Sequence, residues 1–155
     1  MTAEEIIDKL QLQPHPEGGF YKETFRSGLS VGDYRLGTAI YFLITQDNVS
    51  HFHRIRQDEL WFHHYGATID IHVLEDGKHE VTRLGMLSSD AEPYRIVPKN
   101  TIFGSSLSEN ETGFALVSCV VIPGFEFRDF ELFTTAELLA DFPDCEMIIR
   151  KMTRE

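Results

Sequence analysis

Two histidines and a carboxylate, His51-Phe52-His53 followed by Glu59 and then Gly66, are the residues of this chain best suited to chemistry. Alternate residues of a β-strand point to the same face, so His51 and His53 on a strand present two imidazoles side by side. A carboxylate a few residues later, after a tight turn, can swing back to the same point. Neutral imidazole nitrogens with a carboxylate suit a divalent first-row metal such as iron, nickel, manganese or zinc. The same groups suit proton transfer on a bound small molecule. Either chemistry needs a pocket, and the elements around the cluster must supply it.

The chain has 155 residues, of which 42% are hydrophobic and 12% aromatic. A chain of this length buries roughly 68–70% of its unfolded surface, enough for one core. Neither repeat nor linker divides it, so residues 1–155 read as one domain. Thr2-Ala3-Glu4-Glu5 is a capping-box pattern followed by Ile6, Ile7 and Leu10, which predicts a short helix over 3–10. Pro14 to Gly19 breaks it. Strands are then expected at Phe20–Phe25, Thr38–Thr45, Val49–Arg54, Glu59–Tyr65 and Thr68–Leu74. Asp76-Gly77 signals a hairpin into Glu80–Leu84. Tyr94–Val97, Phe114–Ile122 and Glu126–Phe133 complete the set. Thr134 to Glu137 is a second capping box, opening a helix that Pro143 stops. The tail from Met147 to Met152 reads as a last strand or a loose end. Many short strands at regular spacing define an all-β sandwich or barrel with short terminal helices.

The net charge of -11, from 25 acidic against 14 basic side chains, argues against nucleic acid and anionic membranes as partners, since both select a basic surface. Apolar runs fall short of the ~20 residues of a membrane span. The acidic N-terminus does not look like a signal peptide, and a cytoplasmic location is expected. Cys119 and Cys145 have no metal-ligand spacing and read as free thiols.

The pattern His51-x-His53-x5-Glu59-x6-Gly66 resembles the first cupin motif, in which two histidines and a glutamate line the mouth of a small jelly-roll barrel. Asp58 would suit the shorter spacing usual in cupins, but Glu59 has the right interval to Gly66. Tyr94 to Gly104 stands where the second cupin motif is expected. Pro98 matches, Asn100 replaces a glycine and can still take a positive φ, and Phe103 falls where the fourth ligand, a histidine, should be. A closer resemblance, to the cupin-5 family, is carried by four ordered blocks: Leu12 to Ser27, Thr38 to Leu43, Ser50 to Trp61 and Pro123 to Leu132. It implies a cupin jelly roll, or double-stranded β-helix, commonly homodimeric and without an established reaction. Where that family usually has histidine, aromatic, histidine after the tryptophan matched by Trp61, this chain has Phe62, His63 and His64.

Alternation puts Glu59, Trp61 and His63 on one face, so His63 is a candidate pocket base or substitute ligand. His64 should face away, toward a second protomer, and His72 outward. His15 is expected to fix its loop. Glu23 and Arg26 are opposite-face neighbours, so one of the two should reach the pocket; Arg26 would suit an anionic substrate group. Tyr41 and Trp61 are candidates for a stacking wall, and Phe103 for an apolar floor. Phe125, Phe127 and Phe130 read as core or dimer packing.

Two functions stay open at this point. One is an isomerase or epimerase acting on a sugar or sugar-nucleotide-like molecule, with His51, His53 or His63 as base, Glu59 orienting an imidazole and Tyr41 as acid. A metal on His51, His53 and Glu59 would turn the same site toward oxygen chemistry or Lewis-acid isomerisation. The other is a non-catalytic module holding a small polar ligand.

Overall fold

The computed structural model describes residues 1–154. Helix α1 (Ala3–Leu10) opens the chain, with Thr2 and Glu5 forming the capping box. After β1 (Gln13–Pro14), a proline-glycine loop leads to β2 (Phe20–Arg26), a small exposed hairpin of β3 (Ser30–Val31) and β4 (Tyr34–Arg35), and β5 (Thr38–Thr45). Strands β6 (Ser50–Arg54), β7 (Asp58–Gly66), β8 (Ile69–Glu75) and β9 (Lys78–Leu84) follow. The remaining strands are β10 (Tyr94–Val97), β11 (Ile102–Leu107), β12 (Phe114–Ile122) and β13 (Glu131–Leu132), before α2 (Thr135–Asp141) and α3 (Glu146–Lys151).

Two antiparallel sheets face each other, in the orders β1-β2-β5-β12-β7-β10 and β13-β6-β11-β8-β9. Their inner faces share one buried cluster that includes Phe42, Ile44, Trp61, Ile71, Phe103 and Val117. The outer faces are partly covered by the helices. Ile6 of α1 packs on Leu43 of β5. Leu138 of α2 and Ile149 of α3 pack on Phe52 and Leu74. The all-β jelly roll with short terminal helices is therefore the fold of this chain. Asn100 has φ of 62°, the conformation its place in the second motif requires.

Besides the two-residue strands β1, β3 and β4, which the sequence-based expectation does not contain, three longer segments differ from it. Ile102–Leu107 is a central strand between β6 and β8. Its Gly104-Ser105-Ser106 core lacks the β-branched residues that mark strands, yet a Cβ at position 104 would come within 2.6 Å of the Ser50 carbonyl. Close approach of neighbouring backbone, rather than propensity, selects the glycine. Glu126–Phe133 is a 3-10 turn at Phe127–Asp129 followed by the two residues of β13. The buried Asp129 holds that turn by accepting from Tyr34 Oη (2.7 Å) and Gln57 Nε2 (3.1 Å). The tail from Met147 is helical within α3, because Ile149 and Met152 must reach Phe52 at helical spacing.

Three strands carry an extra residue. In β2, Glu23 faces Ile40 while Phe25 faces Ala39, leaving Thr24 as a bulge. In β6, Ser50 faces Ser105 and His53 faces Phe103, so three steps on one strand match two on the other. In β7, the step between His63 and Tyr65 makes His64 the extra residue. A bulge resets the alternation of faces, and the cavity is built on two of these resets.

Candidate functional site

The inner faces enclose a cavity of about 150 Å³ on the side of Glu59 and Trp61. Its floor carries charge. Glu17, from the proline-glycine loop, is buried and accepts from His53 Nε2 (2.8 Å) and Ser50 Oγ (2.8 Å). Ser50 and His53 can converge on one carboxylate because the β6 bulge puts residues three apart on the same face. His53 Nδ1 donates to the carbonyl of His51 (2.7 Å). Both partners of the His53 ring are acceptors, so both ring nitrogens carry hydrogen and the group is an imidazolium.

The electrostatics agree with that assignment. Burial alone would depress the His53 imidazole, but the Glu17 carboxylate beside it and their hydrogen bond raise it above its ordinary value. Burial would push Glu17 up, but His53, His15 and the hydrogen bonds from His53 and Ser50 hold it down at about 2. Glu59 goes the other way. Burial, then repulsion from Glu17, pushes it up to about 7. Cys119, opposite Trp61 on β12 with its thiol close to Glu59, is pushed well above the usual thiol range by burial and then by Glu59 and Glu17. The indole N–H of Trp61 lies toward Glu59 and holds it down slightly, yet makes no full hydrogen bond and is buried. One cavity thus holds a carboxylate kept well below its ordinary range, the cation paired with it and a carboxyl pushed up toward neutrality.

The mouth is built by β2 and the turn after β12. Glu23 and Arg26 both line the cavity, because the Thr24 bulge brings them to one face. The expectation that only one reaches it assumed unbroken alternation. Arg26 is already engaged: Nε and Nη2 bond the two oxygens of Glu23 (2.8 and 2.9 Å), and Nη2 also bonds the Phe125 carbonyl (3.0 Å). Phe125, Phe127 and Phe130 form the outer wall, not core or dimer packing alone.

Other candidates lie elsewhere. His51 is not in the cavity lining; its Nδ1 donates to the Glu17 carbonyl (2.7 Å) and clamps the loop that carries Glu17. His63 shares the inner face with Glu59 and Trp61, as register requires, but sits farther along and donates to the Ala67 carbonyl (3.0 Å). Tyr41 faces outward with the α1 cluster. Phe103 packs behind the lining, its ring 4.3 Å from that of His53 and 6.2 Å from that of Trp61. His64 faces outward and bonds Ser118 (2.6 Å). His72 also faces away from the barrel interior, but it is buried between Ser106 and His79 rather than exposed.

Pattern reasoning passed over Glu17 and gave His15 only the role of fixing its loop. Both lie in a loop without periodicity, and their only signal was a carboxylate and an imidazole flanked by prolines and paired glycines. His15 does fix the loop, its Nδ1 accepting from the Glu17 backbone N–H (3.1 Å), and it lines the cavity as well. Burial lowers its pKa and favours the neutral form.

The resemblance implied a divalent metal on His51, His53 and Glu59. The residues do not fit one. His51 is turned into the loop, both nitrogens of His53 are occupied as donors, and Phe103 replaces the fourth donor. Among the described residues, no group of three His, Cys, Asp or Glu side chains is disposed to hold a metal ion.

Two facing antiparallel sheets closed over a cavity lined by the His53 and Glu59 strands make this a cupin-type barrel. Residues 4–133 match Cupin_5, the Cupin superfamily family DUF985, and the chain belongs to it. Uncharacterized protein YML079W of Saccharomyces cerevisiae is 30% identical over 148 residues, covering 83% of this chain and 73% of that protein. The crystal structure of protein SO0799 from Shewanella oneidensis superposes with a TM-score of 0.94 at 40% identity, covering 99% of this chain and 98% of that one. A hypothetical protein from Leishmania major gives 0.93 at 38% identity over the full length of both. Oxalate decarboxylase from Bacillus subtilis, at 12% identity, gives a TM-score of 0.58 over 90% of this chain and 36% of that one, a likeness of fold alone.

Proposed function

We propose that this chain binds a small polar metabolite in the barrel cavity and moves a proton on it, in the manner of an isomerase or epimerase acting on a sugar-like compound. The observation that carries the reading is the pair of buried carboxyl groups held at about 2 and about 7 in one cavity. Environments that push two acids apart assign them different roles. Glu59 exchanges a proton readily near neutral pH, which is where a general acid or base works best. Glu17 stays ionised and, with His53, forms a fixed dipole beneath the substrate. His53 has both N–H groups committed, so it acts by its charge and not as a base. The Trp61 N–H, buried without a full partner, is the donor for a substrate oxygen. Tyr21 lines the cavity and takes the acid role first considered for Tyr41.

The same reading takes the chain as one cytoplasmic domain that pairs with a second copy. Cys119 and Cys145 are free and buried, as suits a reducing compartment. Among the described residues, no helix is long and apolar enough to cross a membrane. On the outer face of the six-stranded sheet, Tyr94, Ile96 and Ile122 are exposed beside Phe62, beyond the reach of α1. A contiguous apolar patch of this kind suits a self-association surface.

The test is isotope exchange. Sugars and sugar acids that quench or shift Trp61 emission are incubated with the protein in D2O and weighed by mass spectrometry. Trp61, the only tryptophan, stands in the cavity wall and reports occupancy directly. Deuterium entering a carbon position with the native protein, and lost in Glu59→Gln, supports proton transfer. Binding without exchange would leave a ligand-binding module instead.

A further inference from the structure

Arg26 would suit an anionic group, but it is paired with Glu23, and the charge of the cavity is arranged for a cation. Its lining holds four carboxyl groups (Glu17, Glu23, Glu59 and Glu126) against two cations, His53 and Arg26. Glu17 neutralises His53 and Glu23 neutralises Arg26 through two bonds. Glu126 stands at the mouth 3.6 Å from Arg26, whose charge Glu23 has already met. A second anion entering here would meet surplus negative charge in a poorly screened space.

The walls of the mouth are aromatic. Phe125, Phe127 and Phe130 stand edge to face, with centroids 4.9, 6.2 and 6.4 Å apart. Ring faces attract a cation placed within about 6 Å of them. Deeper in, the Trp61 N–H is 1% exposed for the residue as a whole and has no full partner, so the interior has an unmet donor for a polar group. A volume of about 150 Å³ matches a cavity that takes benzene, which limits the enclosed part of a ligand to roughly six to ten non-hydrogen atoms.

We infer that the ligand is a small organic cation, a protonated amine whose charged nitrogen lodges among Phe125, Phe127 and Phe130 beside Glu126, with a polar acceptor reaching Trp61. The inference rests on the cavity being the binding site and narrows the ligand class within it. An anionic sugar nucleotide is disfavoured on both size and charge.

Three ring compounds of like size and different charge separate the outcomes: cyclohexylammonium, cyclohexanol and cyclohexanecarboxylate, each titrated into the full chain by calorimetry and Trp61 emission. The ammonium should bind about tenfold more tightly than the alcohol, and the carboxylate more weakly than either. Glu126→Gln and Phe127→Leu, both at the mouth, should each reduce ammonium affinity about three- to tenfold and weaken the alcohol by clearly less, so that the ammonium-to-alcohol ratio falls in both variants. Raised salt should weaken only the ammonium. Equal or tighter binding of the alcohol or the carboxylate, or ammonium affinity untouched in both variants, overturns the inference while the cavity reading stands. If none of the three compounds binds the native protein, both fall.

Discussion

At the scale of residues, two members of the cluster read from the sequence, His53 and Glu59, share the cavity with Glu17, which the proline-glycine loop supplies. Glu17 and His53 form a buried ion pair, and Glu59 is the group that titrates. A buried pair contributes little net stability, but removing one partner strands the other charge. Glu17→Gln and His53→Ala should each lose about 3–5 kcal/mol in urea unfolding. The double variant should lose less than the sum, because the stranded charge is gone. The pH dependence follows from the same groups. Glu17 is held below its ordinary value of 4.5, so its contribution is present above 4.5 and lost as pH falls toward 2. Glu59 is raised, so its contribution is present below 4.5 and lost as pH rises through about 7. His53 is raised as well and loses its contribution on the alkaline side. Stability should therefore peak near pH 5. Glu59→Gln removes the acid that must ionise in a dry site, so it should raise the melting temperature at pH 8, with the gain shrinking toward pH 4.5. Each kcal/mol regained is worth about 2–4 °C in a chain of this size. An equal shift at both pH values would show that Glu59 does not titrate near neutrality.

At the scale of elements, bulges and one loop decide what faces the cavity. Thr24 turns Glu23 and Arg26 to a common side, and the extra residue in β6 aligns Ser50 with His53. The Pro14–Gly19 loop is equally specific. Gly18 has φ of 108°, and a Cβ there would overlap the Val49 carbonyl and crowd His51 Nδ1. Gly18→Ala should cost about 1–3 kcal/mol of stability. Because the loop must shift to relieve the overlap, Glu17 should leave His53, and the variant should lose the alkaline shift of the His53 proton resonances. Retention of the native His53 titration in a folded Gly18→Ala protein would show that Glu17 is placed by something other than this loop. Strand β11 makes the complementary point. Its serines and glycine look like turn residues, but Ser105 and Ser106 are buried between two neighbouring strands.

At the scale of the molecule, the helices leave one apolar sheet face open. Tyr94 and Ile96 lie on the edge strand β10, where unpaired backbone also invites association. Tyr94→Glu with Ile96→Glu should convert a dimer to a monomer in sedimentation equilibrium while leaving Trp61 emission native, since both side chains are exposed in the single chain. A monomeric native protein at micromolar concentration would remove the dimer from the reading.

Periodicity, turn residues and capping boxes were enough to determine the all-β class, both capped helices and most strands, because each depends on local backbone preference and on which face is apolar. Register arithmetic from Glu59 also gives the common face of Trp61 and His63, since no bulge lies between them, but not that His63 stands outside the cavity lining. What only the tertiary structure decided is the composition of the site. His51 and His53 part company, and Glu23 and Arg26 come together, because one extra residue in a strand exchanges faces without leaving a mark in composition. Glu17 reaches His53 across a separation in sequence of 36 residues, a contact made by chain folding and not by any spacing motif. The charges follow the same rule: Glu17 sits at about 2 because the fold bonds it to His53, and Glu59 at about 7 because burial and the Glu17 charge outweigh the pull of His53.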